Sequence, residues 1–348
     1  MASIYRLHGH PLSYFSRKLE AALIFYGAPF EAVEVAFGPQ GMTDVRRRAG
    51  THQLPVLETP EGWAVADTTP ILFMLDGRFP RRRLFPEGPV GVLVHMIENF
   101  LDEWLGRTMV HYRWHYEECA GPAALEMARG DGRLAVEIAR WGLKACRATG
   151  VSSPHQQAMA EEEYARILEA AEEQLAVSRY LMGDRPTAVD AVMIGGLRGH
   201  TLADPVPARL VEQFPRILEW VEKEADAWDG EGLVAPIEAP TAFARLMIAE
   251  MSRSFAPFTK GLRKALAAGE KAFVARVYDE DVSYLARPYP ARASDMVVEY
   301  ARQALDEEEY RSMAGRARVW GIEDIYPFDP SPEPAAENVI PLGERSRR

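Results

Sequence analysis

The chain is short of cysteine, of long apolar runs and of positive charge, and each shortage excludes a class of protein. Its 348 residues include two cysteines, Cys119 and Cys146, whose spacing fits neither a disulfide framework nor a CxxC motif. No apolar run approaches the roughly 18 residues that span a bilayer, and "MASIYRLHGH" lacks the apolar segment of a signal peptide. The formal net charge of −11 disfavours a nucleic-acid or anionic-membrane partner. We therefore expect a globular cytoplasmic protein with no nucleic-acid or membrane partner.

The chain is also longer than one typical core, since domains hold about 150 residues. Its first part reads strand, helix, strand, strand, strand, helix, and the later part has mostly helical periodicity. The predicted organisation is an α/β domain at 1–80, a Pro-, Gly- and charge-rich linker at 81–89, an all-helical domain at 90–230, a mainly helical extension with a candidate hairpin at 231–326, and an extended or disordered tail at 327–348.

Capping residues and periodicity predict the individual elements. The first helix begins at Ser13 or Tyr14 and ends before Gly27, and a second spans Pro70–Asp76 with Thr69 as its N-cap. Later helices are predicted at about 90–118, 123–148, 155–178, 188–203, 214–227 and 293–316. "KAFVARV" and "VSYLAR" can pair as a hairpin around "YDED", although no Gly or Asn supplies the usual positive φ.

Four motifs, in order along the chain, resemble the glutathione S-transferase superfamily. "SYFSRKLEAAL" resembles the start of that family's first helix, and "QLPVLETPEGWAVADTTPILFML" its Pro-Val-Leu strand and acidic-then-hydroxyl pair. "YLMGDRPTAVDAVMIGGL" resembles its Gly-Asp-x-Pro-Thr-x-x-Asp segment, and "FPRILEWVEKEA" its closing helix. The resemblance implies an α/β plus all-α fold: a thioredoxin-like N-terminal domain, then an all-helical domain, here with an added mainly helical extension. It also implies glutathione as co-substrate and a two-fold homodimer.

Three hydroxyls near the start of the first helix are candidate activators of the glutathione thiol: Ser13, Tyr14 and Ser16. A free thiol has a pKa near 8.5, and a hydroxyl donor at a helix N-terminus would lower it and favour the thiolate. Ser13 lies five residues before Lys18, at the place of the activating hydroxyl in serine-type members. The alternative is that Ser13 only caps the helix, and both roles can coexist.

A second set of residues is expected to hold the tripeptide. Pro55 donates no hydrogen bond, so it should lie at a bend or sheet edge, and the resemblance implies a cis Leu54–Pro55 bond that presents the Leu54 backbone to glutathione. Asp67 and Thr68 precede a helix, where an anion is favoured, although simple capping is the alternative. The resemblance assigns them the γ-glutamyl end. Two residues before the bend are expected near the glycine end: His52 and Gln53.

Aromatic residues of the first long helix are candidate walls of a pocket for an electrophilic, mostly apolar acceptor, although many can be core. They are Trp104, Tyr112, Trp114 and Tyr116, together with His10 in the turn before Ser13. His111 and His115 have a metal-compatible spacing, but no third ligand is evident, so we expect no metal. Thr187 and Asp190 are expected to form a structural capping box.

These residues support two hypotheses for function. The first is a glutathione-dependent transferase or lyase, of the kind that acts in detoxification, which ionises the thiol for attack on a hydrophobic electrophile. The second is a non-catalytic protein of the same fold, used for binding or assembly through its long C-terminal region.

Overall fold

The computed structural model describes residues 4–36, 47–51, 53–223 and 228–328. These residues include a four-stranded sheet built from β1 (Tyr5–Gly9), β2 (Phe30–Glu34), β3 (Val56–Glu58) and β4 (Ala64–Ala66). The strand order is β2-β1-β3-β4, with β1 parallel to β2 and antiparallel to β3, and β3 antiparallel to β4. This mixed sheet is the thioredoxin-like unit that the resemblance implies.

Two helices accompany the sheet. The first, α1 (Tyr14–Tyr26), has Ser13 as its N-cap and ends at Gly27, which adopts a left-handed conformation with φ 65°. The second, α2 (Thr68–Arg78), begins two residues earlier than predicted, with Asp67 and not Thr69 at the N-cap. Pro70 is tolerated there because the first backbone N–H groups of a helix have no partner within the helix.

The helical region follows the short 3₁₀ turn Pro80–Arg82. Its helices are α3 (Pro89–Phe100), α4 (Gly106–His115), α5 (Glu117–Met127), α6 (Gly132–Ala148), α7 (Pro154–Leu175), α8 (Ala188–Gly196), α9 (Pro205–Val211) and α10 (Pro215–Lys223). A π-helical turn at Leu101–Leu105 joins α3 to α4, and another at Leu197–Thr201 extends α8. Thr187 and Asp190 form the expected capping box of α8.

Three of the predicted long helices are interrupted. The helix expected at 90–118 breaks at Tyr116, whose extended backbone separates α4 from α5. The helix expected at 123–148 is two helices, because Arg129 and Gly130 adopt positive φ values of 51° and 84° that end α5. The helix expected at 293–316 is also two, α13 (Pro288–Ala304) and α14 (Glu307–Val319), because Asp306 starts a new capping box with Glu309. Periodicity continues across such breaks, so it does not reveal them.

The rest of the extension contains α11 (Ala242–Glu250), a π turn at Met251–Phe255, α12 (Ala256–Ala267), and the strands β5 (Ala272–Val277) and β6 (Glu280–Leu285). The two strands form the expected antiparallel hairpin. Tyr278 and Asp279 adopt the positive φ values of a two-residue turn, 50° and 61°, without Gly or Asn. Of the tail predicted at 327–348, residues 329–348 lie outside the described residues, and Phe328 is buried in the hydrophobic core.

One hydrophobic cluster extends from Tyr5 in β1 to Phe328 near the end of the extension. Within it α13 packs on α3, and α11 packs on α7. Among the described residues, no helix is long and apolar enough to cross a membrane. We propose that the chain divides into an α/β domain at 1–80, a linker at 81–89, a helical domain at 90–230 and an extension at 231–326. The extension packs against the helical domain.

Candidate functional site

The register of the sheet brings three predicted site segments to one edge. Val56 pairs with His8 on one side and with Ala66 on the other. The turn after β1 leads to Ser13, Leu54–Pro55 directly precedes β3, and Asp67 directly follows β4. These segments therefore leave the sheet at the same end, although they are distant in sequence.

The three candidate hydroxyls have different surroundings. Ser13 is half-buried, and its Oγ accepts a hydrogen bond from the Ser16 amide at 3.3 Å as the N-cap of α1. Tyr14 is buried, and its hydroxyl donates to the Leu101 carbonyl at 3.2 Å, in the π turn. Ser16 is buried beneath β1, where its Oγ accepts from the His10 amide at 3.2 Å. Tyr14 thus donates its proton within the protein, whereas among the described residues the hydroxyls of Ser13 and Ser16 only accept. Ser13 is the more exposed of these two serines.

The bend before β3 has the geometry that the resemblance implies. The Leu54–Pro55 peptide bond is cis, with Leu54 half-buried and Pro55 buried. Gln53 is exposed, and its backbone amide donates to Thr51 Oγ1 at 3.1 Å. The prediction for His52 falls outside the described residues.

Asp67 and Thr68 form the corner between β4 and α2. Asp67 has φ 76° and ψ 120°, a strained backbone for a residue with a side chain, and its carboxylate makes no capping hydrogen bond to the described part of α2. Instead it accepts a hydrogen bond from the Tyr289 hydroxyl. Burial raises the pKa of Asp67, and the bond from Tyr289 opposes that rise. The Thr69 backbone N–H also lowers the pKa of this carboxylate, so Asp67 faces both the start of α2 and Tyr289.

A buried Lys18 connects this corner to α1 and α3. Its Nζ donates to Thr68 Oγ1 at 3.2 Å, to Glu98 Oε1 at 2.5 Å and to Asp102 Oδ2. Burial alone would lower the pKa of Lys18, but the two carboxylates raise it above its ordinary value. Burial raises the pKa of Asp102, whereas Lys18 outweighs burial and lowers the pKa of Glu98. Lys18 is therefore a fixed cation beneath Thr68.

Close backbone packing holds α1 in place. A Cβ at Gly195 of α8 would lie 2.6 Å from the Lys18 amide nitrogen, and one at Gly199 would lie 3.0 Å from the Ser13 carbonyl group. Arg113 of α4 donates to the Leu12 carbonyl at 2.6 Å and is ion-paired with Asp204 at 2.9 Å. Glycines on α8 and a buried guanidinium from α4 thus position the turn that carries Ser13.

The residues predicted to line an acceptor pocket are mostly packed. Trp104 is buried and donates its indole N–H to Glu163 at 3.0 Å, and Trp114 packs against Gly142 in a separate small cluster. Tyr112 is buried and stacked with Tyr116, whose ring centroid is 5.9 Å away. Tyr116 is half-buried, and burial beside Glu161 raises its pKa to about 12.

The histidines near the site serve local structure. His10 is buried, accepts from the Leu12 amide at 3.1 Å, and burial lowers its pKa to about 4, so it is neutral. His111 is hydrogen-bonded at both ring nitrogens, to His115 at 2.8 Å and to Glu161 at 2.7 Å. Across the described parts of the chain, no group of three or more His, Cys, Asp or Glu side chains could hold a metal ion. Cys119 and Cys146 are free, buried thiols.

Sequence reasoning did not find several residues of this corner. Glu98 and Asp102 are four residues apart on the predicted helix 90–118, so both acids lie on one face of that helix. This spacing is the sequence feature that could have indicated a paired acidic site. Glu103 is half-buried, and burial raises its pKa to about 7. Tyr289 had no local signal, because it approaches Asp67 from 222 residues away in sequence.

Two domain models match the chain. Residues 12–78 match the glutathione S-transferase N-terminal domain, and residues 145–225 match the glutathione S-transferase C-terminal domain. These two matches support membership of the glutathione S-transferase superfamily and a glutathione-dependent function at the family level. A comparison with curated proteins found no match.

Similar solved structures include three bacterial proteins. The β-etherase LigF from Sphingobium sp. strain SYK-6 is 19% identical, with 66% of this chain and 97% of that chain covered and a TM-score of 0.48. A glutathione transferase family member from Pseudomonas fluorescens Pf-5, crystallised with two glutathione molecules bound, is 15% identical, with 71% and 93% covered and a TM-score of 0.46. A glutathione S-transferase from Rhodospirillum rubrum F11 is 20% identical, with 70% and 99% covered and a TM-score of 0.44.

Proposed function

We propose that this protein is a glutathione-dependent transferase or lyase in which Ser13 activates the glutathione thiol. The observation that carries the proposal is the state of the Ser13 hydroxyl. Its oxygen accepts from the Ser16 amide, so its proton is available to donate to a sulfur at the N-terminus of α1. A donor and a helix dipole both favour the thiolate, which is the nucleophile.

Asp67 and Thr68 would hold the γ-glutamyl end of the tripeptide. The Asp67 carboxylate suits the ammonium group. Thr68 Oγ1 accepts from Lys18 at 3.2 Å, so its own proton can be donated to the neighbouring carboxylate of the ligand. The positive end of the α2 dipole and the charge of Lys18 add to the attraction for that carboxylate. Leu54 and Gln53 would extend the contact toward the glycine end.

The acceptor would be a hydrophobic electrophile attacked by the thiolate, by conjugation or by cleavage of an activated bond. Of the proposed wall residues on this segment, Tyr116, directly after α4, is half-buried, and Tyr112 stacks against it. The homodimer and the cytoplasmic location belong to the same proposal. A dimer interface would have to avoid the faces of α3 and α7 that α13 and α11 cover.

Two assays test this function. Purified protein is titrated with glutathione by calorimetry, and turnover is then measured with aryl halides, epoxides, enones and aryl ethers. We expect glutathione binding together with turnover of at least one acceptor class. Binding without turnover of any acceptor would favour the non-catalytic protein of the same fold, and failure to bind glutathione would contradict both.

Ser13→Ala identifies the activating residue. A hydrogen bond to a charged group contributes about 1.5–3 kcal/mol, so the variant should lose roughly 10- to 100-fold in turnover with little change in glutathione affinity. Ser153→Ala is the matched control, because Ser153 caps α7 with the same bond, accepting from the Gln156 amide at 3.1 Å. An unchanged rate in Ser13→Ala would move the role to Ser16 or Tyr14.

A further inference from the structure

The C-terminal extension reaches the corner at which Asp67 lies. Tyr289 is the second residue of α13, and its hydroxyl donates a hydrogen bond to Asp67 Oδ2. The preceding Arg287 is exposed, and its charge acts on Glu103, which is half-buried in the π turn after α3. The start of α13 thus places two polar side chains, Arg287 and Tyr289, beside a site formed by the first 80 residues and α3.

The bond from Tyr289 constrains the Asp67 carboxylate and lowers its pKa against the effect of burial. Asp67 is at the N-cap of α2, and both the Thr69 backbone N–H and the Tyr289 hydroxyl act on its carboxylate. Tyr289 supplies a donor, and burial next to Asp67 raises the pKa of that phenol, which keeps it protonated. The charged groups that also face Asp67 are Lys18 from α1, Glu98 from α3 and Glu103.

A carboxylate oxygen can accept more than one hydrogen bond. The two oxygens offer about four lone-pair sites, and the Tyr289 hydroxyl occupies one of them. An ammonium group can therefore bind Asp67 beside Tyr289 without displacing it. The Tyr289 side chain is 41% exposed, so the ring borders the open side of the corner.

We propose that Tyr289 is a positioning residue that orients the Asp67 carboxylate toward the ammonium group of the γ-glutamyl moiety of glutathione. This inference rests on the proposed function, and it assigns the extension a part in recognising the co-substrate. The recognised feature is the α-amino group, so the affinity for a glutathione analogue that lacks this amino group should not depend on Tyr289.

Calorimetric titrations with glutathione and with the deamino analogue test the proposal. Tyr289→Phe removes only the hydroxyl, at a position exposed enough for the variant to fold. We expect it to bind glutathione roughly tenfold more weakly and the deamino analogue with less than about a twofold change. Tyr300→Phe is the matched control, because that extension tyrosine donates to the Pro86 carbonyl at 3.3 Å, and we expect no effect on either ligand.

The pH profile supplies a second readout that a purely structural role would not change. Binding to Asp67 requires its carboxylate, and the Tyr289 bond lowers the pKa of Asp67, so in Tyr289→Phe the loss of affinity on acidification should begin at higher pH.

Each outcome has a defined meaning. Wild-type protein that does not bind glutathione overturns the proposed function and this inference with it. If the wild type binds glutathione, then tighter or unchanged binding by Tyr289→Phe overturns the positioning role alone. An equal loss of affinity for glutathione and for the deamino analogue would also overturn the positioning role alone.

Discussion

Replacing Lys18 tests how much the buried ion pairs beneath the site contribute to stability. Its ammonium group is fully buried between Glu98 and Asp102, with Thr68 as a third acceptor. Lys18→Met keeps the length of the side chain but removes the charge, which leaves two carboxylates without their cation. Removing one partner of a buried ion pair costs about 3–5 kcal/mol, a large share of the stability of a typical domain, about 5–15 kcal/mol.

The loss should depend on pH with a definite sign. Without Lys18 the pKa of Glu98 in the folded protein should rise above its unfolded value, and the pKa of Asp102, which burial already raises, should rise further. Such groups destabilise the folded state at pH values above the folded pKa, and protonation relieves the loss as pH falls through it. The difference in unfolding free energy between Lys18→Met and wild type should therefore be larger near pH 8 than near pH 5.

Urea denaturation at the two pH values measures this difference. The triple variant Lys18→Met/Glu98→Gln/Asp102→Asn should recover part of the lost stability, because it removes the uncompensated charges. Lys260→Met is the control, since that lysine pairs with Asp324 on the surface and is 70% exposed, so its loss should stay within about 0.5 kcal/mol. A Lys18→Met protein as stable as wild type at both pH values would show that the buried charges do not need Lys18, and so would a triple variant no more stable than the single one.

Two further predictions concern the frame around the site. Gly195→Ala should destabilise by about 1–3 kcal/mol in chemical denaturation, because the new Cβ would lie 2.6 Å from the Lys18 amide nitrogen; Gly315→Ala, with open space around it, should be neutral or stabilising. Thr187→Ala should lower the unfolding free energy by about 0.5–2 kcal/mol without changing glutathione affinity, because it removes the capping box of α8. Equal stability of the two glycine variants, or altered glutathione affinity in Thr187→Ala, would contradict these assignments.

Features governed by neighbouring residues could be predicted from the sequence. Gly27 ends α1, Thr187 and Asp190 cap α8, and the hairpin pairs where the alternating strands indicated. These features depend on residues a few positions apart, so the residue types in the sequence are enough to predict them. The split at Arg129 was missed because periodicity alone does not show it, although Gly130 and the N-cap Asp131 mark the break in the sequence.

Features governed by tertiary contacts could not be predicted. Lys18 occupies a helix position that reads as ordinary, and its burial depends on acids supplied from the end of α3 and the π turn. The sequence does not distinguish Tyr14 from Ser13 as a hydrogen-bond donor, because the acceptor of the Tyr14 hydroxyl is the distant Leu101 carbonyl. Trp104 read as a pocket wall and packs inside against Glu163. In each case the partner is distant in sequence.

The central claim is that Ser13 stabilises the thiolate of bound glutathione, and titration of that thiol tests it most directly. The ultraviolet absorbance of the thiolate is followed against pH in complexes with wild type, Ser13→Ala and Ser153→Ala. We expect a thiol pKa below its free value of about 8.5 in wild type and in Ser153→Ala, and a rise of about one to two units in Ser13→Ala. The same thiol pKa in all three proteins would show that Ser13 does not stabilise the thiolate.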